Sequence, residues 1–208
     1  MFAYCNNNPV NCMDPSGNLP VYPVNIAGSG SVQQQSVPDN IYTHKTGLIN
    51  GQGICFCSEE RMGLGTYANN GCGIIAIYNA IQLLGYYESL AVIETEIFIN
   101  GGYWVGGLLG IKPWVIDDYF EDKNIACSRY LSYDAMSQSI TEGDVVVFMT
   151  LNNTQNIFKG WHYMAAQYIN GKYIVYNMYS NDPGSYSVNS LNQPYGNSAF
   201  VCGFVVGG

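Results

Sequence analysis

Three residues of this chain have the types and the order needed for a thiol nucleophile. Cys72 stands where an apolar helix should begin, in Asn69-Asn70-Gly71-Cys72-Gly73-Ile74-Ile75. His162 follows ninety residues later in Gly160-Trp161-His162-Tyr163, and Asn177 comes after it in Tyr176-Asn177-Met178. A thiol at a helix N-terminus sits at the positive end of the helix dipole, which favours the thiolate. An imidazole can take its proton, and an amide can hold that imidazole. The set therefore reads as a Cys-His-Asn relay, with Cys72 as nucleophile, His162 as general base and then acid, and Asn177 as the orienter. The carbonyl under attack also needs donors for its developing charge. The backbone N–H of Cys72 and the side-chain amide of Asn69 are the expected pair, with Asn70 and Gly71 spent on capping the helix.

Each residue alone has a plainer reading. A cysteine before an apolar helix is commonly a packed small side chain, and a strand histidine is commonly a satisfied core residue. Asparagine is abundant here. The combination carries the expectation, not any one member. Trp161 reads equally well as a cleft wall or as packing, and His44, between Thr43 and Lys45, reads as a surface residue.

The elements that must position these residues are legible from periodicity. Ile74, Ile77 or Tyr78, Ile81 and Leu84 recur at helical spacing after Cys72, and Gly85 is a C-terminal stop. A second helix is expected over residues 88–99. A third starts near Pro113, with Trp114, Ile116 and Phe120 inward and Asp117, Asp118, Glu121 and Asp122 on a solvated face. Strands are expected over 126–131, 144–149, 162–168, 172–179 and 199–206, with Asn170-Gly171 as a tight hairpin turn. That hairpin would set His162 opposite position 179, with Asn177 diagonal to it on the same face. Helices first and an antiparallel sheet after is an α+β pattern.

Composition narrows the field further. Of 208 residues, 48% are apolar and only 11% charged, enough for a sizeable core. The formal charge of −8 argues against a phosphate-backbone partner, so no nucleic acid is expected. No run of apolar residues is long enough to span a bilayer. The first residues lack a basic stretch followed by an apolar run, so no signal peptide is expected. Seven cysteines leave at least one free thiol and suggest no disulfide framework. Cys55-Phe56-Cys57 is too tight for a usual bridge and has no companion pair at zinc-ligand spacing, so neither metal nor cofactor is expected. Turn-rich and Gln/Ser/Gly-rich stretches mark residues 18–60 as a linker or extension, with the catalytic unit over 61–208.

Over residues 61–208 the chain resembles the papain-like superfamily, and most of all its compact C39-like peptidases. Gly71-Cys72-Gly73 is similar to the Cys-Gly nucleophile motif of that branch. Gly143 before a Val-rich strand resembles its strand entry, and His162-Tyr163 followed by a hairpin and Asn177 resembles its histidine strand and partner. The resemblance implies a papain-like fold and thiolate attack on a protein amide. Proteolysis is the first reaction it implies, and deamidation or transglutaminase-like transfer the alternatives. Two departures stand out. Position 66, where the upstream glutamine of the superfamily would fall, is Thr66, and Asp182 competes with Asn177 for the third place.

Residues 1–17, with Cys5-Asn6-Asn7-Asn8-Pro9 and Asp14-Pro15-Ser16-Gly17, resemble the end of an Rhs/YD-repeat core of the wall-associated type. In that family a variable toxin domain follows. The resemblance implies an interbacterial effector, secreted or delivered from the cell surface, that acts on a protein substrate in the target-cell cytoplasm. It also implies a cognate immunity protein. A non-enzymatic binding or pore-type effector with a structural Cys72 is the expectation from another class.

Overall fold

The computed structural model describes residues 47–152 and 160–207. The expected Rhs-type tail at 1–17 and the stretch 18–46, with Cys5, Cys12 and His44, lie outside the described residues. A small hairpin, β1 (Arg61–Met62) and β2 (Gly65–Thr66), leads into α1 (Tyr67–Asn70) and α2 (Cys72–Leu83). Then come α3 (Leu90–Ile99), α4 (Val115–Asp122), β3 (Cys127–Tyr130) and α5 (Tyr133–Ser139). The strands β4 (Val145–Leu151), β5 (Trp161–Ile169), β6 (Lys172–Tyr176), β7 (Tyr186–Val188) and β8 (Ala199–Val206) complete the chain. It is an α+β arrangement. Strands β3 to β8 form one sheet in the order β3-β8-β4-β5-β6-β7, and every neighbouring pair is antiparallel.

Both faces of this sheet are covered. Along β4, Val145, Val147 and Met149 join the core built on α2, α3 and α4, while Val146 and Phe148 join a second core with Met136 of α5 and Leu191. A strand buried on both faces loses polar alternation, which is why β4 reads as an unbroken apolar run. Helix α2 is central: every residue from Cys72 to Ile81 is buried. A helix apolar all round must be enclosed, and each fully buried isoleucine on it contributes about 1.5–3 kcal/mol. It ends in a Schellman motif. Gly85, at φ +82°, donates its N–H to Gln82, and Tyr86 donates to Ile81.

The β5–β6 hairpin has the register expected from Asn170-Gly171, with Ala165 opposite Tyr176 and both turn residues at positive φ. Its second strand is shorter than expected. Asn177 adopts φ +59°, which turns the chain out of the ladder after Tyr176, so the strand does not reach 179. His162 is paired with Thr150 on β4 and has no partner on β6.

Other boundaries need correction. The domain does not begin at 61: Leu48, Ile49, Cys55 and Cys57 are buried, and Ile49, Cys55 and Cys57 belong to the α2 core. The anchor is Asn79 of α2, whose Oδ1 accepts the Ile49 N–H and whose Nδ2 donates to the Ile49 carbonyl, both at 2.8 Å. Turn-rich composition concealed this strap, although Ile49, Cys55 and Cys57 join the apolar core and Ile49 is pinned to a buried helix. Helix α4 starts at Val115, and Trp114, expected inward, is exposed. The solvated face is also not uniform, since Asp117 pairs with Arg129 at 3.5 Å. Helix α5, which buries mainly Met136, is too short to show a periodicity.

Candidate active site

Cys72 opens α2 directly after Gly71, which stays in the right-handed helical region and separates it from α1. Gly73 behind it is required by close approach, because a β-carbon there would lie 2.4 Å from Ile111. The Cys72 side chain is 9% exposed and borders a cleft of about 1040 Å³. His162, at the start of β5, borders the same cleft. Burial raises the Cys72 thiol above its ordinary 9.0, and the N–H groups of Tyr163, Gly73 and Cys72 itself lower it only in part. Burial thus opposes the thiolate that the helix start favours, and the shift runs towards the neutral thiol.

His162 is also neutral. Burial pushes its pKa below 6.5, against the opposing bond to Asn177. That bond runs between Nε2 and the backbone carbonyl of Asn177, 2.6 Å apart. A carbonyl can only accept, so Nε2 carries the proton and Nδ1 keeps a lone pair.

The side chain of Asn177 does not meet the imidazole, contrary to the expected geometry. Its Oδ1 accepts the Gln52 N–H at 3.0 Å, and its Nδ2 donates to Gln52 Oε1 at 3.1 Å. Its own N–H donates to Asn50 Oδ1 at 2.7 Å. The strap at 48–52 thus fixes the turn that presents the Asn177 carbonyl. Asp182 is engaged elsewhere, accepting from Gly184 N–H at 2.8 Å and from the Tyr186 hydroxyl.

Gln52 was not among the expected site residues, yet it lines the cleft and is 4% exposed. Its Nε2 donates to the carbonyl of Ala68 at 2.9 Å. A continuous helix would offer that carbonyl to the N–H of Cys72, four residues on. Gln52 therefore ties the turn of Asn177 to the helix junction of Cys72. The only sequence signal was its place in Gly51-Gln52-Gly53, where Gly51 takes φ +68°. Asn69 borders the cleft and donates to Thr66 Oγ1 at 3.1 Å. Asn70 does not cap α2, which has Gly71 at its N-cap and no side-chain bond there; its amide reaches the Leu108 carbonyl at 2.5 Å.

Trp161 borders the cleft beside His162, and Trp104 and Leu108 border it from the loop between α3 and α4. Among the described residues, none that lines the cleft is charged. The Trp104 loop is tied to the base of α1 through Glu94, which accepts from Tyr67 at 2.9 Å and from Tyr103 at 2.6 Å. Among the described residues, no three His, Cys, Asp or Glu side chains gather as metal ligands. No helix among them is long and apolar enough to cross a membrane. No protein-family model matches the chain, and no curated protein matches it.

Proposed function

We propose that this chain is a papain-like cysteine enzyme that cleaves a protein amide, acting as an effector delivered into a competing bacterial cell. The observation that carries the reading is the shared cleft: Cys72 heads the central helix, His162 heads the adjoining strand, and the imidazole is held as its Nε2–H tautomer. In the reaction, Nδ1 of His162 takes the Cys72 proton as sulfur bonds to the substrate carbonyl carbon. The C–N bond breaks as the imidazolium returns that proton to the departing amine. Water, activated by the same nitrogen, then hydrolyses the thioester. The Asn177 carbonyl keeps the ring oriented and favours the imidazolium that forms in passing.

The oxyanion lies between the N–H of Cys72 and a side-chain amide. Asn69 is the amide expected from sequence, and Gln52 is favoured here because it is buried at the helix junction. A cleft whose described lining is uncharged and carries two tryptophans suits an unfolded, apolar stretch of polypeptide. The delivery setting, its immunity protein and action in the target cytoplasm rest on the resemblance of residues 1–17 to an Rhs/YD-repeat core.

The test is expression of the parent and of Cys72→Ala in susceptible cells lacking the immunity protein. Loss of toxicity, with cleaved substrate peptides seen only with the parent, supports the reading. A Cys72→Ala chain as toxic as the parent overturns it in favour of a non-enzymatic effector. Deamidated or amine-linked peptides in place of new termini would keep Cys72 as nucleophile and change the acceptor to a deamidase or transferase pattern.

A further inference from the structure

A second thiol site lies outside the Cys72 relay. The sulfurs of Cys55 and Cys57 stand 2.8 Å apart in the turn between Gly51 and Glu60. Spacing alone argues against a usual bridge between residues two apart. The sulfur positions argue for one, because the chain already holds both side chains on the same side of the turn. Residues two apart in a turn also fall in the window of about 4.4–6.8 Å between α-carbons that a disulfide tolerates.

The hydrogen-bond chain gives the two thiols different roles. Cys55 donates to the carbonyl of Gln52 at 3.4 Å, so the shared proton between the sulfurs comes from Cys57. When Cys55 ionises, that donor stays aimed at its sulfur and stabilises the thiolate, while Cys57 remains protonated. The shifts agree in direction: Cys55 falls below 9.0 through the Cys57 bond, and Cys57 is pushed far up. Both sulfurs are buried, but Ile54 and Phe56, their neighbours in the chain, are half exposed. The pair thus lies just beneath the surface, within reach of a water-sized oxidant through local opening.

We infer that Cys55 and Cys57 are a redox modification site, a dithiol that hydrogen peroxide converts to an intramolecular disulfide. The Cys55 thiolate attacks one peroxide oxygen, giving a sulfenic acid and hydroxide, and the hydroxide takes up the proton that Cys55 released. The Cys57 thiol then displaces hydroxyl from the Cys55 sulfur, forming the S–S bond and a second water. Two thiols and one peroxide become one disulfide and two waters, and a dithiol reductant reverses the change. The site adjoins the candidate active site without depending on that reading, because oxidation removes the thiol bond to Gln52, whose amide and N–H hold Asn177.

The experiment treats the full reduced chain with graded hydrogen peroxide at neutral pH, followed by denaturation with a maleimide and digestion with trypsin. Cleavage after Lys45 and Arg61 releases residues 46–61, which contain both cysteines. The expected result is that this peptide loses two hydrogen atoms and takes up no maleimide at doses where Cys127 and Cys202 remain alkylatable. Dithiothreitol should restore two maleimide sites. In Cys57→Ser, Cys55 should be trapped by dimedone as a sulfenic acid and form no internal bridge. The proposal is overturned if residues 46–61 keep two reactive thiols while other cysteines oxidise. It is also overturned if Cys55 passes to sulfinic acid in the parent without pairing. The parent alone decides the matter, should the variant fail to fold.

Discussion

The imidazole of His162 meets Asn177 through the backbone carbonyl of that residue, 2.6 Å from Nε2, while the Asn177 amide faces Gln52. A carbonyl accepts as an amide oxygen would, so the ring is held in the same tautomer by a group no substitution can remove. What the side chain controls is the turn that aims the carbonyl. The two roles separate experimentally.

Asn177→Gly should keep the carbonyl and suit the positive φ. We expect a stability loss of about 1–3 kcal/mol from the missing Gln52 bonds and activity within about tenfold of the parent. Asn177→Ala should be worse in thermal unfolding, because a β-carbon is strained at φ +59°. If Asn177→Gly were as inactive as His162→Ala, the orienting role would return to the amide.

Because burial holds His162 below 6.5, the ring stays a competent base in mildly acidic solution. The acid limb of kcat/KM should lie below pH 6.5, and proton NMR of the ring should give the same midpoint. The unfolded chain binds that proton first, so stability should fall as pH drops from 6.5 towards the folded pKa. A limb at or above 6.5 contradicts the buried neutral imidazole.

Alkylation of Cys72 should accelerate with pH up to and beyond 9.0, since its thiol is raised. At neutral pH the reaction depends on His162 as base, and His162→Ala should slow it by about tenfold or more. Cys202, pushed up to about 11, and Cys127, pushed up to about 12, should remain slower throughout. Peptide mapping after brief iodoacetamide treatment reads all three.

Gln52→Ala should lower stability by about 1–3 kcal/mol by orphaning the buried Asn177 amide. If Gln52 also donates to the oxyanion, kcat should fall by about 10²–10³. Gln52→Glu keeps an acceptor for Asn177 Nδ2 but sets a buried carboxylate oxygen against the Ala68 carbonyl, so it should lose stability as well as activity. Stability loss with full kcat would confine Gln52 to scaffolding.

Glu94 gathers hydroxyls from Tyr67 at the start of α1 and from Tyr103 beside Trp104. Glu94→Ala should cost about 3 kcal/mol in denaturant unfolding, because the buried Tyr67 hydroxyl and the partly buried Tyr103 hydroxyl both lose their carboxyl acceptor. Glu94→Gln should recover part of it. Equal destabilisation by both would mean that the charge, not the hydrogen bonding, matters.

The parts legible in sequence were those dictated by strong local patterns. The apolar run after Cys72 announced a buried helix, and Asn170-Gly171 fixed a hairpin whose register places Ala165 against Tyr176. Those two elements bring Cys72 and His162 to one cleft. The role of Gln52 was not legible, because its partners Asn177 and Ala68 lie 125 and 16 residues away and no periodicity links them. Asn177 misled for a related reason. Strand parity assumes extended backbone, and its positive φ ends the ladder at Tyr176, three residues short of 179. The strap at 47–60 was hidden because no periodicity marks it: Asn79 pins the backbone of Ile49, and the Asn50 side chain accepts the Asn177 N–H.

The order of the sheet has one more consequence. Its outermost members, Cys127–Tyr130 and Tyr186–Val188, are its two shortest strands, while the long ones lie inside. A neighbouring molecule is thus offered only brief rows of unpaired amides as a template, too few to recruit a foreign strand. Short rims of this kind limit the edge-to-edge pairing that an apolar sheet otherwise invites.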